Sequence, residues 1–107
     1  MTTENNILVM TTTGSKEEAE KLARTMVEKR LAACVNIVPQ VQSVYRWNDK
    51  VEHAHEFLLL IKTYGTALDR VRKLNSEMNS YDLPECISFK IDGGCSAYLK
   101  WLGNSVE

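Results

Sequence analysis

The chain has 107 residues, 44% of them hydrophobic and 25% charged, with a formal net charge of −1. That is the composition of one ordinary globular domain with a sizeable core, and residues 1–107 are read as a single domain. A balance so near neutrality gives no support for a nucleic-acid or acidic-membrane partner, and no apolar run approaches the length of a transmembrane helix.

The opening segment, Met1-Thr-Thr-Glu-Asn-Asn6, has neither the basic start nor the apolar core of an export signal. Three cysteines, Cys34, Cys86 and Cys95, are an odd number without C-x-x-C spacing, which argues against a disulfide framework. A cytoplasmic protein with reduced thiols is expected.

Ile7–Thr12 reads as a short buried strand, broken by Gly14 and Ser15. Ser15 and Glu18 form a capping-box pattern. Ala19, Leu22, Ala23, Met26 and Val27 then repeat at helical spacing, and Lys29-Arg30 fall in the last turn, where the helix dipole favours cations. Two β-rich arms follow, Cys34–Trp47 and Val51–Thr63, around the polar turn Asn48-Asp49-Lys50. Each arm is about a dozen residues, or roughly 40 Å at about 3.3 Å per residue. A domain of this size has a radius of gyration near ~13 Å, so the hairpin outruns its own body. Its outer part calls for another subunit, because long exposed apolar edges aggregate.

Tyr64-Gly65-Thr66 ends the hairpin and opens a second helix, with Leu68, Val71, Leu74 and Met78 on its buried stripe. Cys86–Ile91 alternates, placing Ile87, Phe89 and Ile91 on one face of a half-buried strand. Asp92-Gly93-Gly94 turns the chain, and Ser96 caps a short terminal helix stopped by Gly103-Asn104. The order strand, helix, strand, strand, helix, strand predicts an α+β ferredoxin-like βαββαβ sandwich, with a long central hairpin and a short C-terminal helix.

Five segments carry a family resemblance: Leu31–Pro39, Val44–Trp47, Glu56–Thr63, Tyr81-Asp82-Leu83-Pro84-Glu85, and Tyr98–Leu102. In this order they resemble the CutA divalent-cation tolerance proteins and cover nearly the whole chain. The resemblance implies a tight homotrimer similar in architecture to PII signalling proteins. It also implies a link to tolerance of copper and other divalent metals, and the leading expectation is that the chain acts by binding or signalling rather than catalysis. The copper ligands of one bacterial member correspond here to Thr11, Met78 and Asn79. Thr11 offers no thiolate and Asn79 is a poor ligand for a soft metal, so that site is not expected to survive. The turn after Trp47 commonly carries Gly; Asn and Asp also tolerate positive φ.

Other metal candidates are few. His53 and His55 share one strand face about 7 Å apart, which suits a His-x-His clamp for copper or zinc or two solvated polar residues near the hairpin tip. Cys34 reads either as a metal or redox thiol, which requires a lowered pKa, or as a buried structural one. No cofactor is implied beyond weak copper or zinc binding. Gly93-Gly94 lacks the following Lys-Ser/Thr of a phosphate loop.

Tyr45, Trp47, Glu56, Lys62, Tyr81, Glu85 and Trp101 form the main candidate set. Charges inside an apolar run pair or line a cavity, and Trp and Tyr suit interfaces. These seven are expected to meet in one intersubunit cleft, either as an interface of aromatics and ion pairs or as a site for a small ligand or ion. Three functions are open: a CutA-like tolerance protein, a PII-like small-molecule sensor, and an enzyme using Glu85 or Glu56 with Lys62 as acid and base. The last has residues but no evident reaction, and no enzyme is expected.

Overall fold

A computed structural model describes residues 5–107. Met1–Glu4, part of the segment read as carrying no export signal, lie outside the described residues. In chain order the elements are β1 (Asn6–Thr13), α1 (Lys16–Glu28), β2 (Cys34–Trp47), β3 (Lys50–Tyr64), α2 (Leu68–Met78), β4 (Ile87–Lys90) and α3 (Ser96–Asn104), with a 3₁₀ turn at Gly65–Ala67 leading into α2. The four strands form one antiparallel sheet in the order β2-β3-β1-β4. The expected ferredoxin-like α+β sandwich is the fold.

Strand alternation sets the two faces of the sheet. Ile7, Val9, Leu59 and Ile61 point to one side and bury themselves against Leu22 and Met26 of α1 and Val71 and Leu74 of α2. Leu8, Met10, Leu58 and Leu60 point to the other, where they meet Ile87 and Phe89 of β4 through the pairs Leu8–Phe89 and Met10–Ile87. This second face is only partly covered: α3 lies across its Leu8 and Lys62 end, while Ile87 and Phe89 are each 48% exposed. The half-buried reading of β4 is therefore corrected for the single chain.

Helix ends follow local chemistry. Ser15 caps α1 by accepting the Glu18 N–H at 3.2 Å, one half of the capping box. Glu18 Oε1 is buried without a hydrogen-bond partner, so that oxygen does not supply the reciprocal half. Lys29 is the C-cap of α1, and Arg30 follows in the left-handed region at φ 59°, so neither lies in the last turn as the sequence implied. Val27 is 42% exposed rather than part of the buried stripe. Cys95, not Ser96, is the N-cap of α3, which runs through Gly103-Asn104 to end at Ser105.

The hairpin has two halves joined by a bulge. Cys34–Val38 pair with Leu58–Lys62, and Val41–Trp47 pair with Lys50–Glu56. From Val38 to Val41 is three steps on β2, against two from Leu58 to Glu56 on β3, so β2 carries one extra residue. Pro39 has no N–H to leave unpaired there, and Gln40 takes φ 60°. One extra residue reverses which side chains face which way: beyond the bulge, Ser43, Tyr45 and Trp47 share the face of Glu56. At the tip, Asn48 (φ 51°) and Asp49 (φ 63°) form a two-residue turn with both residues left-handed, closed by the Trp47–Lys50 pair. The chain measures 44 × 27 × 22 Å, with a radius of gyration of 14.3 Å, longer than a compact body of its size because the outer hairpin projects beyond β1.

Candidate functional site

A cleft of about 500 Å³ opens where the outer hairpin passes over the segment between α2 and β4. Ser43, Tyr45 and Trp47 come from β2, Glu56 from β3, and Tyr81 and Glu85 from the connecting segment. Each wall has its own local cause. The bulge at Pro39-Gln40 turns the β2 residues inward. Glu56 is the last residue of the β3 ribbon before β1 begins pairing at Phe57.

The third wall has no regular structure and is held instead by buried amides. Asn75, on the last turns of α2 and 1% exposed, accepts from the Thr11 hydroxyl at 3.2 Å and donates to the Glu85 carbonyl at 3.1 Å. Asn79 donates to the Thr12 carbonyl at 2.9 Å and accepts from the Tyr81 N–H at 3.0 Å. Thr11 and Asn79, the positions matched to copper ligands, thus serve as pins between β1 and the cleft wall. Sequence reasoning missed Asn75 entirely: an Asn beside Leu74 on a helix reads as surface, and its only signal was proximity to the buried stripe.

Glu56 is 9% exposed. It accepts a hydrogen bond from the Ser43 hydroxyl and lies beside the Tyr81 phenol, whose ionisation it opposes. Burial foremost, then the interaction with the Glu56 carboxylate, pushes the Tyr81 phenol up to about 12. Tyr81 also packs over Gly14, where a Cβ would lie 3.3 Å from its hydroxyl oxygen. Burial, and second the neighbouring Glu56 charge, raise the Glu85 carboxyl above the ordinary carboxylate value. Tyr45 and Trp47, 44% and 43% exposed, leave ring surface open at the mouth.

Of the seven predicted site residues, one chain thus gathers Tyr45, Trp47, Glu56, Tyr81 and Glu85. Lys62 and Trp101 are elsewhere. Lys62 lies six residues from Glu56 along β3, about 20 Å at strand spacing, so within one chain it cannot serve Glu56 as acid–base partner. Its ammonium sits 3.4 Å from the Tyr98 hydroxyl and 5.6 Å from the Tyr98 ring centre. Tyr98 in turn packs on Trp101, with ring centres 5.3 Å apart.

The metal candidates are also dispersed. His53 and His55 pair with Val44 and Gln42, on the face opposite Glu56. Cys34 pairs with Lys62, seven residues along β3 from His55 and so about 23 Å away. Among the described residues, no three His, Cys, Asp or Glu side chains are grouped to hold a metal ion. Burial raises the Cys86 thiol, with nearby Arg72 opposing the shift, which makes that thiol less reactive.

Comparison with known proteins bears on the family and the fold. A family profile described as CutA1 divalent ion tolerance protein matches residues 7–105. The chloroplastic protein CutA of Arabidopsis thaliana is 44% identical over 102 residues, 95% of this chain and 56% of that one. The divalent-cation tolerance protein CutA of Thermus thermophilus is 41% identical over 95 residues, 89% of this chain and 92% of that one. The chain therefore spans just over half the length of its Arabidopsis relative. The crystal structure of CutA1 from Oryza sativa superposes with a TM-score of 0.94 at 43% identity, covering 100% of this chain and 98% of that one. A CutA from Archaeoglobus fulgidus, whose structure is described as periplasmic, superposes at 0.92 with 37% identity, over 95% and 99% of the two chains. Among the described residues no helix is long and apolar enough to cross a membrane. The match across residues 7–105 and the shared fold place this chain in the CutA1 divalent ion tolerance family.

Proposed function

We propose that this chain acts in tolerance of divalent cations, copper included, as a cytoplasmic homotrimer that binds a small ligand and signals its presence, without catalysing a reaction. The observation that carries this reading is the cleft itself: a nearly buried Glu56, hydrogen-bonded by Ser43 and set beside Tyr81, under aromatic rings that remain open. A volume of about 500 Å³ falls in the range of small-molecule sites. The sheet face bearing exposed Val38, Ile87 and Phe89 supports assembly, because a contiguous apolar face of this kind marks a contact surface. In a trimer the Lys62 and Trp101 end of one subunit can meet the Glu56 and Tyr81 end of the next, which would bring all seven residues together.

Direct metal capture plays a minor part in this reading. Copper(II) or zinc should bind weakly, through His53, His55 or thiols, and the binding should vanish in a His53→Ala, His55→Ala double variant with cysteines blocked. A tight stoichiometric site persisting there would overturn the reading. Light scattering at micromolar concentration should give three times the chain mass, and a monomer would refute the assembly. Thermal-shift titration against a metabolite panel tests the cleft. At least one compound should stabilise the wild type and fail with Trp47→Leu, whereas a panel that never distinguishes the two refutes ligand sensing.

A further inference from the structure

We infer that Tyr98 is a positioning residue: its ring, seated against Trp101, holds the Lys62 ammonium where Glu56 of a neighbouring subunit can receive it. This role rests on the trimer proposed above and adds the means by which one subunit prepares the charge that completes the cleft of the next.

Lys62 is a cation without a carboxylate. It belongs to a cross-strand row on the sheet face away from α1 and α2, in register with Cys34 on β2 and Leu8 on β1, and through Leu8 with Phe89 on β4. Nothing else in that row is charged. The ion pairs among the described residues are Lys16–Glu20, Arg30–Glu107 and Arg72–Asp69, and Lys62 is in none of them. It borders instead a hollow walled by Leu8, Ile91, Leu99 and Leu102. Glu56 is its complement: a carboxylate only 9% exposed that is likewise in none of those pairs. A carboxylate so enclosed calls for a cation.

Within the chain the ammonium is held by Tyr98 alone, 3.4 Å from its hydroxyl oxygen and 5.6 Å from its ring centre. The oxygen accepts and the ring quadrupole attracts, so two parts of one side chain fix the same charge. A free Lys side chain loses much rotamer freedom when it is ordered. One ordered beforehand loses less at assembly, the general benefit of preorganisation. Trp101 backs the Tyr98 ring, with centres 5.3 Å apart and planes inclined by 42°. Tyr98 and Trp101 are 41% and 47% exposed, so neither ring is needed to fill the core.

α3 keeps the two rings still. Leu102 is fully buried, Leu99 packs over Gly94, and Val106 just beyond the helix packs against the core. The Glu107 N–H donates to the Arg30 carbonyl at 2.9 Å, and the Arg70 guanidinium donates to the Glu107 carbonyl. The segment after α3 is thus tied both to the turn after α1 and to α2, and the rings ride on an anchored element.

Two readouts test this. Exchange of subunits between isotopically light and heavy trimers, followed by native mass spectrometry, reads the assembly. Shielding of the Lys62 Hε protons by the Tyr98 ring reads the local contact. Shielding should disappear in Tyr98→Leu and persist in Tyr98→Phe, which keeps the ring. Lys62→Met and Tyr98→Leu should each speed exchange about tenfold, whereas Tyr98→Phe should stay within about threefold of wild type. In the Lys62→Met background, Tyr98→Leu should change exchange no further, because the ring has nothing left to position. Lys62→Met and Glu56→Gln lie about 20 Å apart in one chain, so their effects should fail to add only if the two residues meet between subunits. A Tyr98→Leu effect of the same size with and without Lys62 would make Tyr98 a packing residue and overturn the inference while the trimer stands. Exchange indifferent to Lys62→Met, or additive Lys62 and Glu56 effects, would do the same. The comparison of Phe with Leu holds even if Lys62→Met fails to assemble: a Leu variant as mild as the Phe variant overturns the role. A monomer in light scattering would bring down the assembly first, and this role with it.

Discussion

β3 passes through two environments in 15 residues. Its inner half, Phe57–Tyr64, has β1 on one side and β2 on the other, and Leu59 and Ile61 are fully buried beneath the helices. Its outer half, Lys50–Glu56, has only β2 for a neighbour, and Val51 there is 64% exposed. Backbone pairing continues across both, so the strand is the same object throughout. What changes is what covers it. The inner half holds the fold together, and the outer half displays side chains.

The sharpest way to break this comparison is to truncate one side chain in each half. Ile61→Ala should cost about 2–5 kcal/mol of stability, the range for emptying a buried aliphatic site. Val51→Ala should cost little in an isolated chain, since solvent already reaches it. If denaturant unfolding gave Val51→Ala a cost comparable to Ile61→Ala, the outer half would have to be buried in an assembly. In that case apparent stability should also rise with protein concentration.

Asn75→Ala tests the boundary between the two regions. It removes the donor to the Glu85 carbonyl and the acceptor for Thr11, leaving buried polar groups unpaired at about 1–3 kcal/mol each. Stability should fall by roughly that amount, and ligand affinity should fall further, because the Tyr81–Glu85 wall loses its anchor. Loss of stability with unchanged cleft affinity would show that the wall is held by other means.

Much of this division could be read in the chain. The alternation of Phe57, Leu59 and Ile61 with Leu58, Leu60 and Lys62 gave β3 two faces, and the overlong arms gave a hairpin that outruns its body. Tyr45, Trp47, Glu56, Tyr81 and Glu85 stood out as polar or aromatic residues in apolar company. Two features were hidden for physical reasons. A bulge marked by Gln40 rather than Gly carries no strong local signal, although Pro39 beside it hints at an interrupted ladder. Buried Asn75 and Asn79 resemble surface residues until the fold supplies their partners, because the groups they satisfy are 64 and 67 positions away in sequence.

Deleting Gln40 isolates the bulge. With β2 one residue shorter, the outer register should slip so that Tyr45 and Trp47 move to the face now occupied by Val44 and Arg46. The inner pairs from Cys34 to Val38 remain, so the protein should still fold, with a modest loss of stability. Trp47 should become insensitive to ligand. Retained ligand response would mean that the tip turn can re-form the register without the bulge.

Glu85→Gln is the mildest change, and the two regions predict opposite consequences for it. In the wild type, burial and the Glu56 charge raise the Glu85 carboxyl above its unfolded value. The folded state therefore holds the proton more tightly than the unfolded state. Stability must fall as pH rises from the unfolded value through the folded one, and above that window the full cost of the ionised carboxylate remains. Glutamine carries no such cost. The variant should match the wild type in acid and exceed it slightly at neutral pH, where its thermal midpoint should be higher. Solvent access to Glu85 keeps the gain small. Its ligand affinity should drop at the same pH, the pattern of a group kept for binding at the expense of stability. A variant that is less stable than the wild type at neutral pH would mean that the Glu85 carboxylate is already paired with a cation in the assembled protein. The Lys62 end of a neighbouring subunit would then be the first place to look for it.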